Sequence, residues 1–163
     1  MPPRSKRLVR LTPMHRALIL PVGCYLLGTL VGSLHYEFSP EAAGSMLLLL
    51  LLLFYGAFSL FGPVITVAAC FAFGLLTGGI SAGLLSDLTL TGLLCLLFLV
   101  FLLAPCLLLL AGFGLRSALG FAELLLLSGK DRGFSPLTGR LFLMSAVSLA
   151  AVLLYRLLVR LLL

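Results

Sequence analysis

Charged side chains are scarce in this 163-residue chain, at 10% of its residues, and the stretch from Ala42 to Ser86 has none at all. With 62% hydrophobic residues and a mean hydropathy of +1.28, the chain has too little polar surface to cover a water-soluble domain of this size. Histidine is confined to His15 and His35, and no hydrolytic triad is read from the residues around either. Cys24, Cys70, Cys95 and Cys106 form no CxxC pair, which argues against a disulfide framework, a zinc site or a redox motif. "GLLTGG" lacks the Lys-Ser/Thr ending of a phosphate loop. No catalytic, cofactor-binding or metal-ligating residue is expected, nor a small-molecule substrate, and the chain does not read as an enzyme.

What the chain does have is apolar length. A hydrocarbon core of about 30 Å is crossed by roughly 20 helical residues. The composition shows none of the ~10-residue alternation of an outer-membrane barrel, so helices are left to satisfy the backbone in lipid. The expected fold is all-α: a polytopic helical membrane protein with about five transmembrane helices and an amphipathic surface helix before the last.

Residues 1–16, with Arg4, Lys6, Arg7, Arg10 and Arg16 and no acid among them, read as a basic cytoplasmic head rather than a nucleic-acid patch. The rest, 17–163, reads as one helical membrane domain, with membrane lipid as its first partner. The first apolar segment, 17–34, exceeds the core of a cleaved signal peptide and is expected to stay as a helix. "PVGC", ending at Cys24, has Pro21 where a lipoprotein box needs Leu. His35 to Ser45, with Glu37 and Glu41 and no Lys or Arg, reads as an outward loop.

The uncharged run that follows is too long for one crossing and needs a turn. Gly62-Pro63 offers it, because proline lacks an N–H and biases the preceding residue away from helical angles. Spans are expected at 46–61 and 63–85, with Pro63 in a first helical turn. Gly28 and Gly32, Gly74 and Gly78, and Gly79 and Gly83 stand four apart and put small residues on one face. Such faces serve either packing within the chain or contact with a membrane-protein partner or second copy. Thr66, Thr77 and Ser81 are expected to hydrogen-bond between helices.

A fourth span is expected at 89–112, kinked at Pro105, and a surface helix at 115–128 with Arg116, Gly120 and Glu123 on one face. Lys130, Arg132 and Arg140 mark the next connection as cytoplasmic. The last span is expected at 141–162. Five spans leave Arg156 and Arg160 on the side opposite the basic head, against their usual preference.

The order of a helix ending "LLGTLVGSL", the helix–break–helix "LLLFYGAFSLFGPVITVAACFAFGLLTGGISAG", the proline-bearing "FLVFLLAPCLLLLAGFGLR", the amphipathic "SALGFAELLL", a basic turn and a final apolar helix resembles the stage II sporulation protein M family. The resemblance implies a multi-pass scaffold of the cell membrane in an endospore-former. It would act in engulfment and hold a peptidoglycan-degrading complex at the septum with the D and P proteins of that stage. The competing expectation is a permease subunit that dimerises through its glycines and couples to a separate ATPase through the Arg116 to Arg140 segment.

Overall fold

The computed structural model describes the backbone of residues 13–35, 42–86, 89–127 and 134–162, and side chains within 17–34, 44–86, 89–121 and 138–161. It is an all-α bundle: α1 (Pro13–His35), α2 (Ala42–Gly56), α3 (Gly62–Ser86), α4 (Leu90–Phe98), a π-helical segment (Leu99–Leu103), α5 (Ala104–Leu127) and α6 (Phe134–Leu162). Four apolar stretches are long enough to cross a membrane: Ala17–Leu34, Gly62–Ser86, Leu90–Phe121 and Thr138–Leu161. These are the helices of a multi-pass membrane protein.

Side-chain contacts fix the direction of each helix. Gly28 of α1 lies against Phe71 and Gly74 of α3, Gly32 against Leu75, and Gly78 of α3 against Thr29 and Ser33, so residue numbers rise together and the two helices run parallel. The chain must therefore return between them, through α2. At about 1.5 Å per residue, the 15 residues of α2 cover about 22 Å, less than a full hydrocarbon thickness. Gly62 touches Ala118 while Gly92 lies near Leu84, so α4 and α5 run antiparallel to α3. Phe98 stacks on Tyr155, and Ser148 reaches Cys106, so α6 runs back again. The start of α1 and the end of α6 thus lie at opposite ends of the bundle.

α3 is the central helix, with 56% of its span buried, against 17% for α1 and 22% for α6. Its buried residues include Thr66, Ala69, Cys70 and Phe73 at three- and four-residue spacing, and from Leu76 to Ile80 every residue is buried, so that stretch is covered on all sides. Exposed leucines cover the outer helices (Leu26, Leu27 and Leu30 on α1; Leu153, Leu154 and Leu157 on α6), as expected where lipid tails are the solvent.

Three expected boundaries are corrected. The second helix ends at Gly56 rather than at residue 61, and Ala57 to Phe61 form a turn. In it the Ser59 hydroxyl accepts the Phe61 N–H at 3.2 Å, and the Gly56 carbonyl accepts the Ser59 N–H at 3.1 Å. A hydroxyl that bonds nearby backbone competes with helix continuation. Next, no break follows residue 112, because α5 runs unbroken from Ala104 to Leu127 and includes the segment expected as a separate surface helix at 115–128. At Gly112 the helix continues against α1, with Leu18 lying 2.6 Å from where a Gly112 Cβ would be, and at Gly114 it continues in ordinary contact with α2, with Leu53 O 3.6 Å from the Cβ position. Finally, α6 begins at Phe134, ahead of the expected 141.

Candidate functional site

Backbone packs directly against backbone along the seam between α1 and α3. A Cβ built on Gly28 would collide with the Phe71 carbonyl and lie 3.1 Å from Gly74 Cα; one on Gly32 would collide with the Leu75 carbonyl. From the other side, a Cβ on Gly74 would meet the Tyr25 carbonyl and the Thr29 nitrogen at 2.8 Å, and one on Gly78 would meet the Thr29 carbonyl and the Ser33 nitrogen at 2.9 Å. All four glycines are spent on one reciprocal, backbone-to-backbone contact within the chain. Small residues at four-residue spacing permit this approach, and carbonyls set against glycine Cα–H groups add weak hydrogen bonds. Tyr25 and Phe73 stack beside the seam with ring centroids 5.4 Å apart. Gly79 is buried and Gly83 half-buried on the same helix.

The hydroxyls along this seam turn inward on their own helices. Thr29 Oγ1 donates to the Tyr25 carbonyl at 2.8 Å, Thr77 Oγ1 to the Gly74 carbonyl at 3.0 Å and Ser81 Oγ to the Gly78 carbonyl at 2.9 Å. The expected interhelical bonds of Thr77 and Ser81 are thereby corrected: a carbonyl one turn back is already in reach and costs no further ordering. Thr66 Oγ1 and Ser117 Oγ are fully buried, with no hydrogen-bond partner among the described residues.

At the basic end, Gly62 opens α3 in direct contact with the Gly56 carbonyl and the Ala118 methyl, room that only a glycine leaves. Pro63 follows in the first turn, where its missing N–H removes no helical bond. Phe54, Phe58 and Phe142 cluster beside the turn at centroid distances of 5.3 to 6.2 Å and join α2 to α6.

Pro105 sits one residue after a wide turn in which the Ala104 N–H bonds the Leu99 carbonyl five residues back. A proline ring strikes the carbonyl four residues before it, and widening the preceding turn relieves that clash while the helix continues. The proline itself is exposed toward the outside of the bundle. Just beyond it, Ser148 of α6 donates to the Cys106 carbonyl at 3.3 Å, a link between the two helices that carries a hydroxyl's hydrogen bond across the interface. Ser148 and the wide turn were not expected from sequence. A serine in an apolar helix gives no hint of its partner, and Pro105 marks the disturbance without showing how the backbone absorbs it.

Arg116 is exposed on α5 and Gly120 half-buried, while the side chain of Glu123 lies outside the described residues. Arg140 near the start of α6 and Arg156 and Arg160 near its end are exposed as well. Cys24, Cys70, Cys95 and Cys106 are free thiols, and no group of three or more metal-ligating side chains occurs among the described residues. At the far end, Leu84, Leu85, Thr89, Leu90, Gly92 and Leu93 line most of an apolar cleft of about 300 Å³. No family model matches the chain, and no curated protein or solved structure matches it.

Proposed function

We propose that this chain is a multi-pass scaffold of the cell membrane, which holds partner proteins in place rather than converting or moving a substrate. The observation that carries this reading is the α1–α3 seam. Alternating access needs one group of helices to rock against another. Here the central helix is held to its neighbour by interlocked backbones over two turns, so sliding would drive side chains into the carbonyls of Phe71, Leu75, Tyr25 and Thr29. A rigid centre with broad apolar outer faces on α1 and α6 suits a part that other membrane helices pack against.

The orientation follows from charge. By chain position, every Lys and Arg except Arg156 and Arg160 attaches at the end where α1 and α6 begin, and the connections at the other end carry Glu37, Glu41 and Asp87. Short basic segments stay in the cytoplasm, so the N-terminus is assigned there. The resemblance to the stage II sporulation protein M family would make the partners the D and P proteins at the septum, or further copies of the chain. The test is in-cell crosslinking of the tagged full chain with fluorescence imaging in the native host. A complex of fixed composition, concentrated at the septum, is expected; even membrane distribution with no stable partner would sink the proposal.

One observation favours a permease subunit as the second reading. α5 continues from Ala118, level with the start of α3, to Leu127, about 13 Å further at ~1.5 Å per residue. Such a projection, followed in the chain by Lys130 and Arg132, would suit contact with a cytoplasmic ATPase. Co-purification of an ATPase whose turnover depends on this chain would favour it.

A further inference from the structure

We infer that Arg156 and Arg160 form a binding site for the phosphate of an anionic lipid in the leaflet opposite the basic head. Both arginines lie within the last turns of α6, four residues apart, so they share one side of the helix, and both are exposed. Their neighbour Tyr155 is 1% exposed and stacked on Phe98, which fixes the rotation of α6: Tyr155 turns into the bundle and the arginines turn away from it, toward lipid. The surface around them is apolar, with Leu153, Leu154, Leu157 and Leu161 exposed. No acidic residue occurs on α4, the π-helical segment or α6, and the acids of the connections at this end, Glu37, Glu41 and Asp87, lie outside the described residues.

Depth makes the pair specific. Arg156 stands about 9 Å before the end of α6 at ~1.5 Å per residue, inside the apolar span that closes at Leu161. Cα–Cβ bonds tilt toward a helix N-terminus, which here is toward the middle of the membrane. Arg156 must bend back to reach water, so a headgroup drawn down to it satisfies the guanidinium at lower cost. Arg160, one turn nearer the surface, completes a two-guanidinium clamp. Phosphate suits this geometry, because its oxygens accept paired guanidinium hydrogen bonds.

The test is native mass spectrometry of the full chain released from vesicles of phosphatidylcholine with phosphatidylglycerol. The wild type, Arg156→Gln/Arg160→Gln, and Arg140→Gln at the opposite end as a charge control are compared. The wild type and Arg140→Gln should retain phosphatidylglycerol at this site, and the double variant should lose it by on the order of tenfold. Arg156→Lys/Arg160→Lys, which keeps the charge and the apolar stems, should retain an intermediate amount. Equal retention by wild type and double variant overturns the inference. So does release of the lipid by millimolar inorganic phosphate alone, which would make the site one for the free anion.

Discussion

Replacing Gly28 by alanine sets two effects of opposite sign against each other. In a helix interior, alanine is favoured over glycine by roughly 0.5–1 kcal/mol, because glycine loses more backbone freedom. At Gly28 the new methyl would collide with the Phe71 carbonyl and crowd Gly74 Cα at 3.1 Å, and both obstacles are backbone that no rotamer change moves aside. The helices would have to part by on the order of 1 Å. A gap of that size forfeits a quarter to a half of each contact's attraction along the seam, and overpacking of this kind costs about 1–3 kcal/mol. The net expectation for Gly28→Ala is a loss of about 1–2 kcal/mol. Gly23, on the same helix, has no atom within 4 Å of its Cβ position, so Gly23→Ala should gain up to about 1 kcal/mol. The buried thiols of Cys70 and Cys95 supply the assay, since a thiol-reactive dye labels them as the bundle opens on heating in detergent. A midpoint lower by about 2–8 °C for Gly28→Ala, and unchanged or higher for Gly23→Ala, is expected on the scale of 2–4 °C per kcal/mol. Equal shifts in the two variants, or a rise for Gly28→Ala, would refute the seam. Gly28→Ala/Gly74→Ala should cost less than the sum of the singles, because both widen the same gap.

Gly62→Ala should destabilise by about 1–3 kcal/mol, and Ala118→Gly should recover part of that loss by removing one of the two obstacles, as read by the same thermal assay. Ser148→Ala removes the donor to the Cys106 carbonyl and should cost about 0.6 kcal/mol, close to the mean for hydrogen bonds between membrane helices; a loss above about 2 kcal/mol would mean a larger role than this bond. Cysteines placed at Asp87 and Lys130 should differ in whole cells, with the first labelled by a membrane-impermeant thiol reagent and the second protected. The opposite pattern would reverse the orientation drawn from charge.

Much of this architecture was legible because lipid leaves the chain few choices. With no charge from Ala42 to Ser86 and no water to accept backbone hydrogen bonds, helices were the available solution. Gly62-Pro63 announced the start of α3 through the local geometry of proline. The end of α2 was not legible, because Ser59 closes the turn with local bonds to Phe61 and Gly56, and a serine in an apolar run does not announce whether its hydroxyl will bond backbone outside the helix. The separate surface helix expected at 115–128 was misread because nothing local shows that α5 runs on from Ala104 to Leu127.

Sequence alone determined that the chain is helical, belongs in a membrane and carries most of its positive charge at one end, since these follow from local composition and chain order. It also showed small-residue faces on the first and third helices. Only the tertiary structure decided that those faces meet each other, that the α2 between them is short, and that Ser148 reaches the backbone beyond Pro105. The physical reason is that a glycine face is complementary to any other small face, so its partner is chosen by the packing of the whole bundle rather than by the residues themselves.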